Sequence, residues 1–203
     1  MCRPLMADPE MPNKYAENRP EDRRPCLRCD FCSKHLMVPK PMFCAVNPMA
    51  AMTSELRDGV IPKAPVKKKV AVIGGGPGGI QAMETLVARG HDVTLYEKSG
   101  SLGGNVVRAA RPPFKIDMRD YLKWLRRTAA QCVEKGARVL LNTEVTKDVL
   151  DVENYGAVVI AVGADPIMPE SIPGIEKPHV FWAPDAEEDT SKTGRKIVVA
   201  GGG

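Results

Sequence analysis

Lys69-Val70-Ala71-Val72-Ile73-Gly74-Gly75-Gly76-Pro77-Gly78-Gly79-Ile80 joins an unbroken apolar run to a glycine-rich turn, and its reading decides the fold. A short continuous run of β-branched and small residues is what a parallel sheet buries on both faces. Beyond the turn, Ile80, Met83, Leu86 and Val87 share one helical face, and Gly90 supplies a C-terminal stop. His91 to Glu97 reads as a second strand. Met118, Leu122, Leu125, Ala129, Cys132 and Val133 recur at helical spacing, with Asp117 as N-cap and Gly136 as stop. Arg138 to Leu141 and Ala157 to Val162 read as two further short, buried strands. Alternation of strand and helix from 68 to about 165 predicts an α/β fold, a Rossmann-like doubly wound sheet.

Gly74, Gly76 and Gly79 have G-x-G-x-x-G spacing between a strand and a helix, and Glu97 closes the next strand eighteen residues after the last of them. In that context the first glycine permits the tight turn, the second admits a pyrophosphate close to the backbone, and the third lets helix and strand pack closely. Free N–H groups at the helix start and the helix dipole favour the negative charge. Glu97 is placed to accept hydrogen bonds from a ribose diol and would repel a 2′-phosphate, so FAD, NAD or ADP is expected. A glycine turn without a ligand is the plain alternative. Leu102-Gly103-Gly104-Asn105 and Ala161-Val162-Gly163 add small residues where a long ligand would pass, which favours FAD.

The chain has six cysteines, and Cys26, Cys29, Cys32 and Cys44 fall within nineteen residues. Such crowding favours metal over disulfides. Four thiolates suit a cubane iron–sulfur cluster or a structural zinc. Zinc ribbons pair their ligands in two separated knuckles, whereas Cys26-x2-Cys29-x2-Cys32 with Cys44 after eleven intervening residues is the three-plus-one pattern that wraps a cubane. His35 reads as a loop residue, Cys132 as a buried thiol, and Cys2 has no assigned role.

With 203 residues, 43% hydrophobic content and a formal charge of +4, the chain can build a core and carries no footprint for nucleic acid or an anionic membrane. The Lys67-Lys68-Lys69 run reads as a solvated lead-in to the strand, and Trp124, Trp182, His91 and His179 as packing or surface residues. No apolar run approaches the roughly 18 residues that span a bilayer, and no signal peptide is evident, so a cytoplasmic location is expected. Residues 1 to 25, rich in Pro and Asn, read as an extended or looping segment, and Asp165 to Thr193 as a Pro- and Asp-rich connection. Lys69 to Gly76 recurs 127 residues later as Lys196-Ile197-Val198-Val199-Ala200-Gly201-Gly202-Gly203, so a second dinucleotide fold is expected to begin where the sequence stops, as in a truncated chain.

Arg3-Pro4-Leu5-Met6-Ala7-Asp8-Pro9, Arg24-Pro25-Cys26 through Cys32, Phe43-Cys44-Ala45-Val46-Asn47-Pro48, the glycine turn and Pro112-Pro113-Phe114-Lys115 together resemble the multidomain Old-yellow-enzyme-like family. That family includes 2,4-dienoyl-CoA reductase, trimethylamine dehydrogenase and bacterial enoate and bile-acid reductases. The resemblance implies that 1–25 is the tail of a (β/α)8 FMN barrel with Arg3 at the FMN phosphate, and that 26–48 ligates a [4Fe–4S] cluster through the four cysteines. It implies a linker over 49–67, the first part of an FAD- or ADP-binding domain over 68–165, a connection over 166–195, and the start of an NAD(P)H domain over 196–203. Backbone contacts to the nucleotide are implied at Gly74, Gly76, Pro77 and Gly78, ribose contacts at Glu97, flavin-side contacts at Gly104 and Asn105, an adenine contact at the Val145 backbone, and passage of the chain beside the cofactor at Gly163.

The implied activity is NAD(P)H-dependent reduction of an activated C=C bond in a small-molecule substrate, this segment holding the electron relay and no catalytic residue. Homo-oligomer formation is compatible with it. The two-residue gap from Cys29 to Cys32 is similar to trimethylamine dehydrogenase, which keeps an amine dehydrogenase with ADP as an alternative. Two more are an electron-input module resembling the small subunit of glutamate synthase, which has no preceding barrel, and a non-enzymatic zinc-stabilised nucleotide-binding module.

Overall fold

The structure, a computed structural model, describes residues 2–35, 42–51 and 60–201. In chain order the helices are α1 (Arg3–Ala7), α2 (Met11–Ala16), α3 (Pro77–Ala88), α4 (Asn105–Ala109), α5 (Ile116–Glu134), α6 (Lys147–Glu153) and α7 (Ala183–Glu188). The strands are β1 (Lys69–Ile73), β2 (Asp92–Tyr96), β3 (Arg138–Leu140) and β4 (Ala157–Ile160). All pairings are parallel, in the order β3-β2-β1-β4. The order reverses beside β1, so the carboxyl ends of β1 and β4 flank a crevice of the kind in which doubly wound sheets bind ligands.

Register explains the core. Val70 and Val72 stand level with Val93 and Leu95, and Val72 with Val159, so these side chains share one face. Ile80 and Met83 of α3 and Leu125, Ala129 and Cys132 of α5 complete the cluster there. Burial pushes the Cys132 thiol up to about 11, which keeps it protonated and inert. Gly90 and Gly136 end α3 and α5 with φ of +91° and +96°, as their position after each helix requires.

Several expectations are corrected. The segment before the cysteines is helical rather than extended: Pro4, Pro12 and Pro20 each sit in the first turn of a short helix. Proline's fixed φ and missing N–H make it a helix starter there. Asp117 is not the N-cap of α5; Lys115 occupies that place, and Asp117 lies in the first turn. Val133 is 47% exposed and leaves the buried face to Tyr121, Trp124 and Thr128.

The third and fourth strands are shorter than expected and only alternately covered, with Ile160 74% exposed. Both are edge strands of this sheet among the described residues, with one hydrogen-bonding edge unpaired and alternate side chains exposed. Lys69 is no plain solvated lead-in: its ammonium meets the Glu153 carboxylate at 2.7 Å and lies 4.8 Å from the Tyr155 ring centre. The connection after 165 contains α7. Ile197, Val198 and Val199 are exposed and in no strand, and Gly202 and Gly203 lie outside the described residues.

Candidate dinucleotide and cysteine sites

The turn from β1 to α3 is held by its own backbone. Gly74 donates to the Tyr96 carbonyl at 2.8 Å, and Ile80 to the Gly76 carbonyl at 3.0 Å. Two of the three motif glycines are demanded by the protein itself. A Cβ at Gly74, where φ is +108°, would meet the Ala161 oxygen at 2.3 Å; one at Gly79 would meet the Gly74 oxygen at 1.8 Å. The same construction at Gly76 finds nothing nearer than 3.9 Å, and at Gly78 nothing within 4 Å. No protein neighbour therefore explains the missing side chains at 76 and 78, and the space fits a pyrophosphate lying on the backbone. No side chain caps α3, so its first N–H groups remain available to such a ligand.

Glu97 closes β2 and is 8% exposed. Its two carboxylate oxygens accept from Gly75 N–H at 2.7 Å and Ser99 N–H at 2.8 Å. Burial pushes its pKa up, but the Ser99 and Gly75 N–H groups outweigh that, so the carboxyl titrates below its usual value and is ionised at neutral pH. Each oxygen keeps lone pairs free to accept further hydrogen bonds. The pairing with Gly75 went unread in the sequence, where Gly75 is only the residue between two motif glycines. A Cβ there would lie 2.5 Å from Leu102 Cδ2 and 3.0 Å from Glu97 Oε2, so a side chain at 75 would displace Leu102 and crowd the Glu97 carboxylate.

The loop from Leu102 to Asn105 packs directly on this turn. Gly103 N–H donates to the Gly75 carbonyl at 2.8 Å, and Gly104, at φ +52°, caps α4. Asn105 donates from its side-chain amide to the Ala164 carbonyl at 3.2 Å, beside Gly163, whose φ is +76°. Gly104, Asn105 and Gly163 are thus brought together at the mouth of the crevice. Val145 lies half-buried past β3, in a segment joined to the Glu97 carbonyl through Thr143 N–H at 3.0 Å. Pro77 is the first residue of α3.

Cys26, Cys29, Cys32 and Cys44 line one small cavity together with Arg3, Met6, Leu27 and Asp30. All four are free thiols. Among the described residues no three potential ligands converge tightly enough to hold a single ion. A donor set of four thiols around one cavity fits a multinuclear sulfide cluster, whose irons each take one cysteine. Arg3 pairs with Asp30 at 3.3 Å and stands half-exposed at the rim.

Arg24, two residues before Cys26, joins this segment to the sheet domain. Its backbone N–H donates to Asp8 at 2.8 Å, and its guanidinium reaches Asn47 at 3.0 Å and Glu84 of α3 at 3.2 Å, over the Trp124 ring at 4.6 Å. Trp124 is therefore more than packing filler. Arg28 adds a second link, to Asp117. Neither arginine was distinguishable in sequence from ordinary surface charge.

A parallel sheet with a glycine turn at its switch point and an ionised carboxylate closing the second strand defines a Rossmann-type dinucleotide-binding domain. The family model for pyridine nucleotide-disulphide oxidoreductases matches residues 68–203, and the chain belongs to that family, within the Old-yellow-enzyme-like NADH:flavin oxidoreductases. It is 37% identical over 204 residues to cinnamate reductase of Clostridium sporogenes, covering 99% of this chain and 29% of that protein. The solved 2-naphthoyl-CoA reductase superposes with a TM-score of 0.80 at 37% identity, over 94% of this chain and 28% of that one. Histamine dehydrogenase from Rhizobium sp. 4-9 superposes with a TM-score of 0.75 at 27% identity, over 83% and 24%. The chain thus spans about three tenths of the length of the curated relatives it matches. Among the described residues no helix is long and apolar enough to cross a membrane.

Proposed function

We propose that this chain is the electron-transfer portion of an NAD(P)H-dependent iron–sulfur flavoprotein that reduces an activated C=C bond. The observation that carries the reading is the pair Gly76 and Gly78, open to a ligand and unconstrained by protein, beside an ionised Glu97. Gly74, Gly76, Pro77, Gly78 and Gly79 would hold the FAD pyrophosphate, Glu97 the ribose, Val145 the adenine side, and Gly104, Asn105 and Gly163 the flavin side. Cys26, Cys29, Cys32 and Cys44 would hold a [4Fe–4S] cluster, and Arg3 would face an FMN phosphate.

Bound there, FAD supplies hydride acceptance from NAD(P)H and single-electron release towards the cluster and FMN. The chain's part is to hold. The free N–H groups of α3 neutralise phosphate charge, Glu97 fixes the ribose and rejects a 2′-phosphate, and the Gly103–Gly75 bond keeps the flavin-side loop on the turn. The names cinnamate reductase and 2-naphthoyl-CoA reductase favour a conjugated acyl substrate for the whole protein.

The likeness to histamine dehydrogenase supports a second reading, an amine dehydrogenase with ADP in this site. Acid release of the nucleotide from anaerobically prepared protein decides between them. A yellow extract with flavin absorbance supports the first reading; ADP without flavin overturns it in favour of the second.

A further inference from the structure

Arg28 sits between Cys26 and Cys29 with φ at +51°, in the left-handed region that disfavours any residue bearing a Cβ. Glycine would satisfy that turn without conflict. The arginine side chain nevertheless makes a two-bond long-range contact. Its Nε donates to Asp117 Oδ2 at 2.7 Å and its Nη2 to Asp117 Oδ1 at 2.8 Å, a side-on two-bond pairing across 89 positions of sequence. Asp117 lies in the first turn of α5, where the helix dipole also favours its negative charge.

Helix α5 carries that contact to the dinucleotide site. Leu122 packs against Gly103 so closely that a Cβ at 103 would lie 2.3 Å from Leu122 Cδ1, and Arg126 Nε donates to the Leu102 carbonyl at 3.1 Å. Gly103 in turn is bonded to Gly75. One rigid helix therefore touches the cysteine loop at its start and the flavin-side loop two turns later.

Resting on the cluster-and-flavin reading above, we infer that Arg28 is a positioning residue. Paired with Asp117, it registers the cysteine loop against α5, and through α5 against the flavin-side loop, while keeping a cation beside the thiol cavity. Arg3 and Asp30 line that cavity, and they pair with each other rather than with Arg28.

Three variants test this: Arg28→Gly, which also relieves the backbone conflict and so leaves the chain able to fold; Asp117→Asn; and the swap of Arg28→Asp with Asp117→Arg. The first measurement is amide hydrogen exchange on the metal-free chain, which needs no cluster. Exchange across 26–32 is expected to rise about fivefold or more in each single variant, to return towards wild type in the swap, and to stay unchanged across β1 and β2. Unchanged exchange in both single variants, or a swap no better than either, overturns the inference.

The second measurement is the midpoint potential after anaerobic reconstitution with iron and sulfide. Loss of the Arg28 cation is expected to lower it and loss of its counter-anion in Asp117→Asn to raise it. A shift of the same sign in both, or none in either, contradicts the charge role. If wild-type chain takes up no iron and sulfide, the cluster reading fails, and the exchange result still judges the clamp.

Discussion

Adding one methyl group at Gly79 and at Gly76 should produce opposite failures. In Gly79→Ala the new Cβ would lie 1.8 Å from the Gly74 oxygen and 3.4 Å from Val72 Cγ1. Relief to an ordinary contact of about 3.4 Å needs α3 and β1 to part by about 1.6 Å, in a core that is close-packed. Overpacking of that kind costs about 1–3 kcal/mol, and parting a helix from its strand belongs at the upper end. For a domain of this size about 3 kcal/mol lowers Tm by roughly 6–12 °C. In Gly76→Ala the Cβ meets nothing nearer than 3.9 Å, and the backbone, with φ −78° and ψ −176°, is ordinary extended geometry. Its Tm should stay within about 1 °C, while FAD affinity falls at least about tenfold, or about 1.4 kcal/mol, because the methyl occupies the space assigned to the pyrophosphate. Thermal unfolding without ligand and flavin titration by fluorescence measure the two effects separately. The reasoning is refuted if Gly76→Ala unfolds as early as Gly79→Ala, or if it binds FAD as wild type does.

Glu97→Gln should remove a pH dependence. The carboxyl's folded pKa is depressed, so its contribution to stability is complete above the unfolded value of about 4.3 and is lost as pH falls through the folded value. The stability gap between wild type and Glu97→Gln should therefore be widest near neutrality and narrow below about pH 4, in denaturant titrations across that range; a constant gap would count against it. Arg24→Ala removes two side-chain hydrogen bonds and the contact over Trp124 from a largely buried guanidinium, and should cost about 2–4 kcal/mol, read as a lower denaturation midpoint. Replacing Cys29 by Ser should reduce iron and sulfide uptake on reconstitution, whereas Cys132→Ala, deep in the core, should leave uptake intact at about 1 kcal/mol of stability. Equal uptake losses in both would detach the cavity from metal binding.

What could be read in the sequence follows the range of the forces involved. Val70 to Val72 with Gly74 and Gly79 are legible because a buried parallel strand and a tight strand-to-helix turn impose their residue types locally. Glu97 was legible for the same reason, since its place is fixed by the length of one strand–helix–strand unit. The edge strands were misjudged because Ile160 is apolar in sequence, and exposure depends on neighbours that local pattern does not encode. Residues 1 to 25 read as extended or looping because proline in the first turn of a helix, as at Pro4, Pro12 and Pro20, and proline in a loop look alike without the following hydrogen bonds. The cysteine spacing was plain, but the arginines that seat the loop were not. Arg24 meets Glu84 across 60 positions and Arg28 meets Asp117 across 89, and no periodicity links such partners.

The most direct test of the account is stoichiometry. Anaerobic reconstitution of the chain with iron, sulfide and FAD should give about four iron and four labile sulfide per chain, with one flavin. One zinc per chain with no sulfide, and no retained flavin, would contradict it.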